Sequence, residues 1–319
     1  MRSDTAETES AAVTECDVTL ASGAVAHFAA AGPVDGPPVV LLHGGLPGSS
    51  GWAGWRFMLP ALGAAGFRVY APDRPGFGQA DTRQQYWPVR GFLSWTDFVQ
   101  EFTEALGLTR FQLGGNSQGT QTGAYFAARF PERVERMIMV ACGGFNPVLD
   151  IPEESLKAGV AFPQWDGTRD SMREMLETIV YRTEALTDDL LTRRNEAALV
   201  QRESFGAAAA WNRRALVEPS LQQAHRLSGH LDQLTIPMLY LYGRQDVLGP
   251  VENAYLQEER LPNVQFLYPD ECGHQGQTDQ PEMFNACFRE FFSTGSLTRE
   301  TADWAGISQR RAELSGIVA

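Results

Sequence analysis

The 319-residue chain is nearly devoid of lysine: of its 26 basic residues only Lys157 is one, and arginine supplies the rest. It also lacks positive charge overall, since 39 acidic residues leave a formal net charge of −13. Phosphate binding needs a clustered cationic surface, so nucleic acid is excluded as a partner, and so is docking to an anionic membrane. No apolar run approaches the ~20 residues that span a bilayer. The first 15 residues are polar and acidic with no signal-type apolar stretch, and read as a disordered tail on a cytoplasmic protein. Cysteine is scarce: Cys16, Cys142, Cys272 and Cys287 are too few for a disulfide scaffold, and none forms a C-x-x-C pair that would hold zinc. A G-x-G-x-x-G loop, a P-loop lysine and a metal-ligand cluster are also missing, so no cofactor and no metal is expected.

A hydrophobic fraction of 43% suffices for a sizeable core. Short apolar runs at 39–42, 67–71, 137–141, 238–242 and 264–268 suit buried parallel strands with both faces covered. Helical spacing over 92–108, 120–130, 251–261 and 281–292 alternates with them. The pattern predicts an α/β fold with a mostly parallel, doubly wound sheet. The alternation stops between 146 and 234, where helical patterns run without a clear strand. The expected organisation is a tail at 1–15, a core at 16–145 and 235–294, a helical lid at 146–234 and a polar C-terminal tail at 295–319, with one short helix near 298–304.

Gly115-Asn116-Ser117-Gln118-Gly119 is a G-x-S-x-G between a predicted strand and a predicted helix. A sharp turn there lifts the serine hydroxyl above the sheet edge, and the flanking glycines leave room for the turn. Serine needs a base to become a nucleophile. Of the five histidines, His27 falls in an early strand and His43 in a His-Gly-Gly loop of structural type. His225 and His230 are separated by about 140° around a helix and read as solvated. His274, in Cys272-Gly273-His274-Gln275, follows the final strand on the carboxyl edge of the sheet, where ligands bind in open α/β folds. Asp246 follows the preceding strand on the same edge and is the acid to orient it. Asp270 and Glu271 are rivals by proximity but read as surface residues. The strand after the nucleophile helix ends in Cys142-Gly143-Gly144, without a carboxylate. The oxyanion hole needs two backbone N–H donors, expected from Gln118 and, in the loop His43-Gly44-Gly45-Leu46, from Gly45.

These residues, in the order Ser117, Asp246, His274, resemble the α/β-hydrolase superfamily over roughly 16–294, and within it the meta-cleavage product hydrolases, which cleave C–C bonds in ring-opened aromatic catabolites. His43-Gly44-Gly45-Leu46-Pro47-Gly48 with Trp52 is similar to that family's HGxGPG…W, Gly115-Asn116-Ser117 to its GNS, and Cys272-Gly273-His274 to its CGH. The run Leu190-Leu191-Thr192-Arg193-Arg194-Asn195-Glu196-Ala197 is similar to the lid helix that offers an arginine to the substrate carboxylate. The resemblance therefore implies substrate contacts from Arg194, Asn116, Gly44 and Gln275. It departs at Gln118, usually methionine; at Gln275, usually tryptophan; at Leu46, usually glycine; and at Gly54, usually asparagine.

The resemblance implies a small-molecule substrate, a vinylogous diketone with a terminal carboxylate. A carboxylesterase or lactonase with the same triad is the alternative, because two glutamines replace apolar family residues. Arg194 has a second reading, a solvated residue in an i,i+3 or i,i+4 pair. A catalytically inactive receptor is disfavoured by the intact triad, and dehalogenases and epoxide hydrolases by serine where they carry aspartate. Hydrolases of this kind commonly form homo-oligomers, so a homodimer is compatible with the resemblance, though no residue establishes one.

Overall fold

The structure is a computed structural model that describes residues 11–319. One eight-stranded sheet has the order β1-β2-β4-β3-β5-β6-β7-β8. The strands are β1 (Val13–Thr19), β2 (Val25–Ala31), β3 (Pro38–Leu42), β4 (Arg68–Pro72), β5 (Phe111–Asn116), β6 (Val134–Val140), β7 (Met238–Leu241) and β8 (Gln265–Leu267). From β4 to β8 every pairing is parallel, and only β2 runs antiparallel to its neighbours. The parallel strands are apolar throughout because helices cover both faces: Val39, Val40, Leu41 and Leu42 have no exposed surface.

The helices are α1 (Gly51–Trp55), α2 (Met58–Ala64), α3 (Phe92–Ala105), α4 (Gln118–Arg129), α5 (Phe145–Val148), α6 (Arg169–Ile179), α7 (Asp188–Val200), α8 (Arg202–Ala215), α9 (Pro219–Ala224), α10 (Val251–Arg260), α11 (Gly276–Asp279), α12 (Pro281–Thr294) and α13 (Arg299–Trp304). Trp95, Phe102 and Phe126, from α3 and α4, fill the core on one face of the sheet. Trp55, Leu59, Phe284 and Phe288, from α1, α2 and α12, fill it on the other. Each fully buried side chain of this size contributes about 1.5–3 kcal/mol. A third cluster belongs to the segment between β6 and β7: Met172, Met175, Leu176, Leu190 and Leu191 of α6 and α7 pack together with Ala53. Among the described residues no helix is long and apolar enough to cross a membrane.

Two sequence expectations about the ends need correction. Residues 13–15, expected in the N-terminal tail, lie in β1 and pair with Ala29, Ala30 and Ala31 of β2; Thr14 and Glu15 are polar because they are exposed on this edge strand. Of the rest of that tail expectation, residues 11 and 12 lead into β1, and residues 1–10 lie outside the described residues. At the other end the segment after α12 is docked onto the core. Leu297, Ile307 and Ile317 are buried, Ile307 bridges Leu267 of β8, and Leu297 N donates to Ile317 O at 2.7 Å. The docking covers the outer edge of β8, an edge that would otherwise present unpaired backbone groups. The expected short helix is α13, with Thr298 as its N-cap.

Candidate active site

Ser117 sits between β5 and α4 with φ 55° and ψ −121°. A non-glycine residue with positive φ is strained and needs enforcement by its surroundings. The enforcement is visible: Ser117 N donates to Val140 O at 2.8 Å, and Thr120 Oγ1 donates to Gly115 O (2.6 Å) and Val140 O (2.9 Å). The glycine at 119 is dictated by close approach, since a Cβ there would lie 2.0 Å from Leu42 O.

Asp246, in the loop after β7, and His274, after β8, are 3% and 6% exposed. Asp246 Oδ2 accepts from His274 Nδ1 at 2.7 Å. Asp246 Oδ1 accepts from the backbone N–H groups of Leu248 (2.9 Å) and Gly249 (3.1 Å). Both carboxylate oxygens are thus committed, and the imidazole Nε2 is left for chemistry. The rival acids turn outward: Asp270 accepts from Gln245 Nε2 at 2.6 Å on the surface, and exposed Glu271 faces Arg182. At the end of β6 the site holds Cys142, whose thiol burial pushes up to about 12.

The histidine loop is tied to two other segments. His274 N donates to Ile179 O at 2.8 Å, at the end of α6. The carboxylate of Asp279, fully buried, accepts from Gly273 N (2.8 Å), Tyr181 N (2.9 Å) and Arg182 N (3.1 Å). Burial holds that carboxyl above the usual carboxylate range. Nothing in the sequence marks Asp279, because two of its partners lie about a hundred residues away and no motif links them.

Ser117, Gln118 and His274 line one cavity of about 830 Å³. Its far wall is supplied by the segment between β6 and β7, including Ala209, Asn212, Arg213 and His225. His225, expected to be solvated, is 4% exposed; its Nδ1 contacts Leu221 O at 2.7 Å and its ring meets Tyr125. Tyr125 supplies the apolar face that the helical spacing alone does not reveal.

The other expected site residues are placed as follows. Gln118 opens α4, so its backbone N–H belongs to the unpaired first turn of a helix. Its carboxamide lies over Gly45, where any Cβ would come within 1.9 Å of Gln118 Cδ, and its buried Oε1 has no hydrogen-bond partner among the described residues. Gly44 is next to Asn116. Asn116 itself is buried, and its Nδ2 donates to His274 O at 3.0 Å, joining the serine turn to the histidine loop. Gln275 is buried and opens α11, its carbonyl accepting from Thr278 N at 2.7 Å. Arg194 is 2% exposed, which removes the reading of it as a solvated ion-pair residue. Its Nη2 donates to Pro47 O (3.2 Å) and Ser49 Oγ (3.1 Å), and its buried Nε has no partner among the described residues. Burial, with Arg56 nearby, lowers its pKa to about 9. Asn116 and Gly44 adjoin Ser117, Gln275 follows His274, and Arg194 contacts the 47–49 loop; none of the four lines the cavity.

The pattern of the alpha/beta hydrolase fold matches residues 37–281. A 2-hydroxy-6-oxononadienedioate/2-hydroxy-6-oxononatrienedioate hydrolase of Burkholderia vietnamiensis is 30% identical over 262 residues, covering 79% of this chain and 86% of that one. A 2-hydroxy-6-oxo-6-phenylhexa-2,4-dienoate hydrolase of Burkholderia cepacia is 29% identical over 271 residues, covering 82% and 89%. Among solved structures, the meta-cleavage product hydrolase CumD from Pseudomonas fluorescens, a mutant complexed with acetates, superposes with a TM-score of 0.69 at 27% identity, covering 88% of this chain and 98% of that one. The chain is therefore similar to the meta-cleavage product hydrolases, and it belongs to the α/β-hydrolase family.

Proposed function

We propose that the chain is a serine hydrolase that cleaves a C–C bond in a ring-fission product of aromatic catabolism, a vinylogous diketone bearing a carboxylate. The observation that carries the reading is the buried 2.7 Å contact between Asp246 and His274, with His274 and the strained Ser117 facing one cavity. In this mechanism His274 and Ser117 assist ketonisation of the dienol. Ser117, or water activated by His274, then adds to the ketone carbonyl. The N–H groups of Gly45 and Gln118 take up the developing oxyanion, and the C–C bond breaks because the leaving carbanion is delocalised as a dienolate. Asp246 keeps the Nδ1–H tautomer and stabilises the imidazolium. Arg194 is proposed as the carboxylate partner. It is a buried cation whose donors go to a carbonyl and a hydroxyl, with Nε free, and an incoming carboxylate would supply the charge-assisted pair it lacks.

We further propose that residues 146–234 act as a lid, opening to admit substrate, that the enzyme is cytoplasmic, and that it is a homodimer, as hydrolases of this kind commonly are. Light scattering at micromolar concentration tests the dimer. A second reading, a carboxylesterase or lactonase with the same triad, is favoured by one observation: the buried, unpartnered Gln118 Oε1 against Gly45 makes this end of the pocket polar. Offering a ring-fission dienoate beside aryl esters decides between them. Loss of the dienoate chromophore far faster than ester hydrolysis supports the first reading, and the reverse ratio supports the second. Unchanged turnover by Ser117→Ala would remove both.

A further inference from the structure

Arg74, in the loop after β4, has no exposed surface. Its guanidinium lies over the rings of Trp95 (4.6 Å) and Phe77 (4.9 Å). Among the described residues its donors meet no carboxylate: Nη2 donates to His43 O (2.8 Å) and Gly44 O (2.9 Å), and Nη1 to Thr122 Oγ1 (3.3 Å). Desolvation alone lowers its pKa, to about 9. Burying a cation without a counter-ion is costly, and an apolar side chain would fill the same space at lower free energy. The cost points to something the guanidinium does for those two carbonyls.

His43 acts on the same atom. Its Nδ1 lies 2.7 Å from Gly44 O, and its Nε2 accepts from Arg74 N at 3.1 Å. Burial and the neighbouring Arg74 hold its pKa well below the usual histidine value, so the ring is neutral. Because Nε2 accepts, Nδ1 carries the proton and donates to Gly44 O. The carbonyl of Gly44 therefore receives two donors, one of them charged.

The peptide joining Gly44 to Gly45 is planar and trans, so its N–H points opposite to its C=O. That N–H is the Gly45 donor assigned above to the oxyanion hole. A Gly-Gly peptide has no side chain to restrict its rotation, and the Gln118 carboxamide lies where a Cβ on Gly45 would go. An outside group has to set the direction of this peptide. We infer that Arg74, backed by His43, is a positioning residue of the oxyanion hole: by holding the Gly44 carbonyl from within the fold it aims the Gly45 N–H towards the Ser117 side. The inference rests on the serine-hydrolase reading.

The experiment compares Arg74→Ala and Arg74→Lys with wild type, using whichever chromogenic ester or dienoate wild type turns over, with Ser117→Ala in parallel. Losing one oxyanion donor costs about 10²–10³ in kcat, so Arg74→Ala is expected to lose roughly 100-fold in kcat with KM within threefold. Lysine keeps the buried charge but cannot span two carbonyls, so a loss of about tenfold is expected. Affinity for a boronic acid, which forms a tetrahedral mimic on the serine, should fall with kcat/KM while product affinity stays unchanged. Millimolar guanidinium should restore part of the Arg74→Ala rate. If boronate and product affinities fall together, or if kcat tracks only the fraction of folded protein titrated by a phosphonate, the inference is overturned. Should Arg74→Ala fail to fold, Arg74→Lys decides it by the same ratio, and wild-type kcat in that variant overturns it. An active Ser117→Ala would sink the hydrolase reading itself, whereas an inactive Ser117→Ala beside an unaffected Arg74→Lys sinks the positioning role alone.

Discussion

Asp246→Asn tests the core of the site by changing almost no volume and one hydrogen-bonding pattern. In the native carboxylate, Oδ1 accepts from Leu248 N and Gly249 N, and Oδ2 accepts from His274 Nδ1. Asparagine has one acceptor for these three donors. If its oxygen serves the two backbone amides, its NH₂ faces His274 Nδ1. The ring must then accept there and carry its proton on Nε2, where it cannot take one from Ser117. That orientation costs little stability and removes the base. A loss of about 10⁴ in kcat is expected, equal to roughly 5 kcal/mol of barrier. If the amide flips, its NH₂ meets two backbone donors, and leaving each buried donor unsatisfied costs about 1–3 kcal/mol. The first orientation therefore wins. Steady-state turnover of the preferred substrate, read beside a thermal melt, separates the two. The expected result is a Tm within a few degrees of wild type and a kcat lowered about ten-thousandfold. A folded Asp246→Asn protein retaining a tenth or more of wild-type kcat would refute the assignment and reopen the search for the acid partner.

Other expectations follow from single contacts. Arg194→Ala should raise KM for a carboxylate-bearing substrate at least tenfold while leaving a neutral ester within about threefold, as one charge-assisted pair is lost; equal effects on both substrates would assign Arg194 to bracing Pro47 and Ser49 alone. Gln118→Met removes a buried, unpartnered carboxamide oxygen, so chemical denaturation should show a gain of about 1 kcal/mol, with the ratio of dienoate to ester turnover rising. Asp73 accepts from Gly51 N and Gln79 N at 2.7 Å each, and burial raises its carboxyl to about 6. A pKa raised on folding gives stability at low pH that is lost as pH rises through the folded value. The contribution of Asp73 to stability should therefore fall between about pH 4 and pH 6, measured by denaturant midpoint, and Asp73→Asn should remove that fall from the curve.

What the sequence reveals follows the range of the interactions involved. The parallel strands are readable because burial on both faces writes a continuous apolar run, as in Val39 to Leu42. The turn at Ser117 is readable because its demands are local: glycines two residues either side, a strand before and a helix after. Asp246 and His274 are readable by their place after consecutive strands, since a parallel sheet brings successive strand ends to one edge. The start of β1 is not, because an exposed edge strand carries polar residues. The docking of Leu297, Ile307 and Ile317 is not, because three apolar residues spaced about ten apart have no period to detect.

The pocket is the least readable part, for a related physical reason. Arg194 looks in sequence like any helical arginine of the 146–234 segment, and its environment is made by Pro47 and Ser49, about 145 residues away. Arg74 sits in an Asp-Arg-Pro-Gly turn whose sequence gives no sign of burial, yet it is buried by two aromatic rings and directs its donors to the His43 loop. A charge is expected outside unless paired with an opposite charge, and both arginines break that expectation with carbonyl partners. Sequence patterns encode which surfaces are apolar; they do not encode which carbonyls a turn leaves pointing inward. In this chain those inward carbonyls belong to the loop that is proposed to supply an oxyanion donor. Buried arginines without carboxylates are thus a signal that appears only in three dimensions, and here both converge on residues 43–49.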